Sequence, residues 1–247
     1  MLYTVLEGEK PRVVLLHGFT QTHRSWEPAV RFLPEDGLAL VDLPGHGGSA
    51  EVTTGFEETV GLLAGIAGPE GVCYAGYSMG ARLALGVAAA HPDAARSLVL
   101  ISGTAGIADE RARIKRVVED AALAARIESM GIEKFIHEWL NRPMFRHIRD
   151  TMTQDRLTNT AAGLAHSLQA LGTGTMPSLW DRLRDLTMPV LLVTGELDSK
   201  FTTLAREMAV ALPAAEHVAV EDAGHAVHIE KPEVVAGLIE DFLRRHN

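Results

Sequence analysis

The chain is short of cysteine, of positive charge and of long apolar runs, and each shortage excludes something. Cys73 is the only cysteine in 247 residues, so no intrachain disulfide can form. It lies in an apolar stretch and reads as a buried, inert thiol. Lys and Arg total 23 against 32 Asp and Glu, a net charge of −9. That balance argues against nucleic acid or an anionic membrane as a partner. It leaves room for an anionic substrate, because a local arginine cluster can override a distant overall charge. No segment approaches the length of a membrane span, and Met1-Leu2-Tyr3-Thr4 has no basic n-region. A cytoplasmic protein is the simplest expectation. There is no internal repeat and no low-complexity segment, and no His/Cys/Asp pattern completes a metal site.

What is present is an alternation of elements. Apolar runs occur at Val13–Leu16, Leu38–Val41, Val72–Ala75, Leu98–Ile101, Val190–Val193 and His217–Val220. Continuous Val/Leu/Ile runs predict strands buried on both faces. Helical patterns lie between them, at Glu57–Ile66, Arg82–Ala90, Leu204–Leu212 and Val234–Leu243. The implied fold class is α/β, a mostly parallel sheet with helices on both faces. From about Ile107 to Leu183 the alternation stops. Ala112–Arg126, Ile132–Leu140 and Ala161–Leu171 read as helices there, with Pro143 and Pro177 as punctuation. The expected organisation is a core of residues 1–106 and 184–247, with 107–183 inserted as a helical cap.

Chemistry concentrates at Gly76-Tyr77-Ser78-Met79-Gly80. The pentapeptide follows an apolar run and opens a helical one, the strand–turn–helix context of a nucleophile elbow. Small residues flank the serine because the turn is crowded. A base and an orienting acid are expected downstream in the order acid, histidine. Asp198 follows the Val190 strand, and Asp222-Ala223-Gly224-His225 follows the last one. Glu196 competes as the acid, but it adjoins the strand end, so Asp198 in the loop proper is favoured. His228 reads as a helix-entry residue with a structural hydrogen bond. The amides of Phe19, in His17-Gly18-Phe19, and Met79 are the expected oxyanion donors. His17 itself is expected to hydrogen-bond or pack locally. Arg82, one turn into the elbow helix, either reaches a substrate carboxylate or is a surface arginine paired with an acid. Arg111, Arg113, Lys115 and Arg116 read as a solvated helix face, and Trp139 and Phe145 as packing residues.

The elbow, Asp198 and Gly224-His225 resemble those of the α/β-hydrolase superfamily. Finer motifs resemble one branch, the 2-succinyl-6-hydroxy-2,4-cyclohexadiene-1-carboxylate synthases of menaquinone biosynthesis. They are His17-Gly18-Phe19-Thr20 with Trp26, and Gly76 to Arg82 with Ala81 where the branch usually has a third glycine. The cap contributes Trp139 to Phe145 and Gly163 to Trp180, which are the specific matches. The acid and base loops contribute Gly195 to Phe201 and Gly224 to Pro232. The resemblance implies a lyase that removes a proton from a carboxylated cyclohexene and expels pyruvate, with no acyl-enzyme and no cofactor. It implies Ser78, activated by His225 and Asp198, as the base. It also implies a small polycarboxylate substrate bound by Arg82, Arg156 and a cap arginine at Arg116 or Arg113, with Tyr77 and Trp139 as pocket walls. The alternative on the same residues is a serine esterase or C–C bond hydrolase.

Overall fold

The computed structural model describes residues 1–34, 37–146, 148 and 153–246. Seven strands form one sheet: β1 (Thr4–Glu7), β2 (Val13–Leu16), β3 (Leu38–Val41), β4 (Val72–Tyr77), β5 (Ala95–Ile101), β6 (Val190–Gly195) and β7 (Ala215–Val220). Their order is β1-β3-β2-β4-β5-β6-β7. All neighbours are parallel except β1, which runs antiparallel to β3 with Thr4 opposite Val41. Every residue of β2, β3, β4 and β6 is buried, as continuous apolar runs require.

Side chains alternate across this sheet and so build two cores. Val14, Leu16, Tyr74, Leu100 and Leu192 pack with Val60, Leu83 and Met208 from helices Phe56–Ala64, Met79–Ala90 and Ser199–Ala211. Val13, Leu15, Cys73, Val99 and Leu191 pack on the other face with Ala29, Ile239 and Phe242. The last two belong to the C-terminal helix Pro232–His246.

Between β5 and β6 the described residues contain no strand. Helices Glu110–Met130, Ile132–Leu140, Thr153–Arg156 and Ala161–Leu171 occupy that stretch. Ala124, Ile127, Phe135, Ile136, Leu164 and Leu168 give it a core of its own, against which Phe19 packs. Asp109 and Thr160 cap the first and last of these helices, accepting from the Ala112 and Gly163 amides.

β1 was absent from the expected strands. It is a four-residue edge strand with no fully buried position, so it carries no apolar run to read. The chain leaves β2 for β3 on one side and later enters β4 on the other. The crevice beyond the C-terminal ends of β2 and β4 is therefore a topological switch point, where open α/β sheets bind ligands. No helix among the described residues is long and apolar enough to cross a membrane.

Candidate active site

Ser78 follows the last residue of β4 and precedes helix Met79–Ala90. Its φ of 51° and ψ of −101° are strained for a residue with a Cβ. The turn is possible because its neighbours are glycine. A Cβ on Gly76 would meet the Ala81 amide nitrogen at 2.5 Å, and one on Gly80 would collide with the Leu16 carbonyl oxygen. The helix thus packs directly on strand backbone, and the serine stands at the tip.

Asp198 and His225 arrive on two loops that brace each other. The Leu197 amide donates to the Ala223 carbonyl at 3.0 Å. Asp198 caps helix Ser199–Ala211 through Oδ1, which accepts from the Phe201 amide at 3.3 Å. Its Oδ2 lies 2.6 Å from His225 Nδ1. His225 Nε2 lies 3.4 Å from Ser78 Oγ, at the long end of a hydrogen bond and common before substrate tightens a site. Glu196 is exposed and takes no part. His225 is 2% exposed, with the Phe201 ring 4.4 Å away and the Tyr77 ring 5.3 Å away.

Sequence reasoning missed two supports of this histidine. Glu230 accepts from the Gly224 amide at 2.7 Å and from the Ala226 amide at 3.0 Å, clamping the backbone on both sides of His225. The five-residue spacing from His225 to Glu230, across the short helix Val227–Glu230, was the available signal. Ser102, at the end of β5, donates from Oγ to the His225 carbonyl at 2.8 Å.

The loop after β2 is fixed from three directions. His17 Nδ1 donates to the Gly18 carbonyl at 2.8 Å and Nε2 accepts from the Leu43 amide at 3.0 Å, so its neutral tautomer is set. Burial holds its pKa below the ordinary histidine value. Gln21 Oε1 accepts from the Gly18 amide, and His46 Nε2 from the Thr20 amide. Burial and the neighbouring His17 push His46 down to about 3, which keeps Nε2 an acceptor. Among the described residues the amides of Phe19 and Met79 have no hydrogen-bond partner. The Tyr77 ring occupies the space where a Cβ of Gly18 would stand, 2.5 Å from its Cε1. Burial raises the Tyr77 phenol pKa, so it stays protonated.

These groups face a cavity of about 750 Å³ between the strand ends and the helices that follow β5. Phe19, Tyr77, Ser78, Met79, Arg82, Arg116, Trp139 and His225 all line it. Arg82 is buried, with Nη1 donating to the Leu171 carbonyl at 2.7 Å. Burial and then the nearby Arg116 lower its pKa to about 10, so it remains a cation. Arg116 rather than Arg113 reaches the wall, held by Asp120 through a 2.8 Å bond from Nε to Oδ1. Arg126, Arg142 and Lys200 add cations that the residue pattern did not single out. Among the described residues Glu119 and Asp120 are the carboxylates on the wall, against five cations, so an acidic chain encloses a positive hollow.

Two expectations need correcting. Arg156 does not line the cavity. It is 2% exposed, and its Nη1 donates to Thr20 Oγ1 behind the loop that carries Phe19. His228 lies on a short helix, as read, but neither ring nitrogen has a hydrogen-bond partner. It is instead wedged between the Tyr77 ring at 4.3 Å and the Trp26 ring at 4.9 Å, and burial keeps it neutral. Among the described residues no group of three or more His, Cys, Asp or Glu could hold a metal ion.

Residues 13–238 match the Alpha/beta hydrolase family. The 2-succinyl-6-hydroxy-2,4-cyclohexadiene-1-carboxylate synthase of Enterobacter sp. (strain 638) is 35% identical over 242 residues, covering 95% of this chain and 92% of that protein. The solved structure of MenH from S. aureus superposes with a TM-score of 0.90 at 29% identity, covering 99% and 98% of the two chains. A thermophilic esterase from Thermogutta terrifontis gives a TM-score of 0.80 at 24% identity over 100% and 94%, a likeness of fold.

Proposed function

This chain belongs to the alpha/beta hydrolase family and, within it, to the 2-succinyl-6-hydroxy-2,4-cyclohexadiene-1-carboxylate synthases, and from that premise we propose how its residues eliminate pyruvate. The substrate is 2-succinyl-5-enolpyruvyl-6-hydroxy-3-cyclohexene-1-carboxylate. Its ring carbon C2 bears a proton next to the succinyl ketone, and C5 bears the leaving group. Ser78 Oγ takes the C2 proton while passing its own to His225, and Asp198 stabilises the resulting imidazolium. Negative charge moves onto the ketone oxygen, where the Phe19 and Met79 amides donate to it. As the charge returns, C2–C3 becomes a double bond, the C3–C4 double bond moves to C4–C5, and the C5–O bond breaks. Enolpyruvate leaves with that electron pair, accepts a proton delivered from His225, and tautomerises to pyruvate. Atoms and charges balance without a cofactor, and the product is the 2,4-diene.

Arg82 and Arg116 hold substrate carboxylates, and Tyr77 and Trp139 shape the pocket. Arg156 braces the Thr20 end of the oxyanion loop from behind. Residues 107–183 act as the cap that excludes water from the enolate. The partner is a small polycarboxylate, and the compartment is the cytoplasm, in keeping with a sole, buried thiol. The observation that carries the reading is the hydrogen-bonded series Ser78, His225, Asp198 opening onto a cavity rich in guanidinium groups. An esterase would use the same series, but esters do not call for several cations around one cavity.

The test is incubation of the purified protein with the enolpyruvyl precursor. Pyruvate and the absorbance of a conjugated diene should rise together in equal amounts. No pyruvate at micromolar enzyme, or a burst of covalently acylated Ser78 with activated esters as the sole activity, would end the claim.

A further inference from the structure

Arg142 lies between helix Ile132–Leu140 and the turn Pro143–Phe145, and it lines the same cavity as Ser78. Its guanidinium carbon sits 4.0 Å from the centroid of the Trp139 ring. Its neighbours on the wall have counter-ions. Arg116 is paired with Asp120 at 2.8 Å and Arg126 with Glu138 at 2.7 Å. Among the described residues Arg142 has no carboxylate within 4.0 Å and no side-chain hydrogen bond. Arg82, from the elbow helix, likewise has no carboxylate within 4.0 Å among the described residues. Two guanidinium groups, one from the core and one from the cap, thus line one cavity with no carboxylate in contact, Asp120 and Glu138 acting on them only at longer range.

We propose that Arg142 forms a second carboxylate subsite, on the cap side, that takes a substrate carboxylate other than the one held at Arg82. The inference rests on the lyase reading for the identity of the substrate, which carries three carboxylates: one on the ring, one on the succinyl chain and one on the enolpyruvyl group. An arginine stacked by its face on an indole keeps its edge N–H groups for a bidentate carboxylate. Half burial and the nearby cations Arg126 and Arg116 outweigh the opposing pull of Glu138 and make the site unfavourable for a lone positive charge, which an arriving anion relieves. Anchoring the substrate at both walls fixes the C2 proton over Ser78, so orientation as well as affinity depends on this residue.

The test compares wild type with Arg142→Gln, Arg142→Lys and Arg142→Ala in two assays. The first is steady-state pyruvate release. The second is calorimetric titration with citrate, a tricarboxylate probe that needs no turnover. Arg142→Gln keeps a planar group over Trp139 without charge. It should raise KM about tenfold to one-hundredfold and change kcat less, with a parallel loss of citrate affinity. Arg142→Lys should restore part of both. A residue that only packs on Trp139 would instead lower the melting temperature of Arg142→Ala and leave KM and citrate affinity within about twofold of wild type. That result would overturn the assignment. If wild type itself releases no pyruvate, the lyase reading fails alone. Citrate affinity then still decides Arg142, a loss in Arg142→Gln supporting it and no change refuting it.

Discussion

A Cβ on Gly195 would collide with the carbonyl oxygen of Gly224. The loop that carries Asp198 and the loop that carries His225 are therefore in backbone contact, and the 3.0 Å bond from the Leu197 amide to the Ala223 carbonyl fastens them. Asp198 and His225 reach Ser78 as one braced unit. Their 2.6 Å separation follows from strand ends that touch rather than from long side chains searching for each other.

Gly195→Ala should separate the two loops. The substitution places a methyl group against backbone, which cannot rotate away, so a loss of about 1–3 kcal/mol is expected. Thermal unfolding and pyruvate release should both decline, with kcat falling more than KM rises. Wild-type values in both measurements would mean that the loops are held apart from this contact.

Asp198→Asn should keep the fold and lose the chemistry. Asparagine still caps helix Ser199–Ala211, so the melting temperature should stay close to wild type. The His225 tautomer would no longer be fixed, and kcat should fall about 100- to 10,000-fold. Steady-state kinetics with circular dichroism on the same sample checks both halves. Retained kcat would move the acid role elsewhere.

Glu230→Gln addresses the clamp on the base loop. The two carboxylate oxygens accept from two amides, and a glutamine NH₂ group would face one of those donors. One unpaired amide costs about 1–3 kcal/mol. Chemical denaturation should show that loss, and kcat should drop while KM is nearly preserved. An effect on stability with no effect on kcat would show that His225 holds its place without the clamp.

Stability should weaken as pH falls below about 6.5, the ordinary histidine value. Burial depresses His17, His46 and His228, so the folded protein leaves them neutral where the unfolded chain protonates them. Below pH 6.5 the unfolded state therefore binds more protons, and unfolding free energy decreases by up to about 1.4 kcal/mol per pH unit for each such histidine. For His46 the decline continues to about pH 3, where its folded form finally titrates. Urea unfolding between pH 7 and pH 4.5 measures the slope. A flat profile would contradict the neutral, buried assignment.

The sheet and the convergence of Ser78, His225 and Asp198 were legible because their physics is local. Buried parallel strands need unbroken Val/Leu/Ile runs, and a strained serine turn needs its glycines, so both leave marks at fixed positions. β1 left none, because a half-buried edge strand of four residues buries too little to need a pattern. Glu230 was hidden for another reason. A carboxylate that accepts from backbone amides looks in sequence like any surface acid, and only the chain path around His225 reveals it. The cap cations follow the same rule: Arg111 and Arg116 share a helix, yet one is exposed and the other lines the cavity. Helical phase at a curved interface decides between them, and Arg156 turns inward to Thr20 where the resemblance implies a substrate contact. His228 was expected to find a hydrogen bond, but its neighbours are the faces of Tyr77 and Trp26, which offer stacking instead.

The most direct measurement is single-turnover pyruvate release by wild type and Ser78→Ala on the enolpyruvyl precursor, with substrate binding measured on the same samples. The account predicts that wild type forms pyruvate and diene one to one. Ser78→Ala should bind the substrate with similar affinity and release pyruvate several orders of magnitude more slowly. Pyruvate release by Ser78→Ala at the wild-type rate would contradict it, because among the described residues no other hydroxyl lies within hydrogen-bond reach of His225 Nε2.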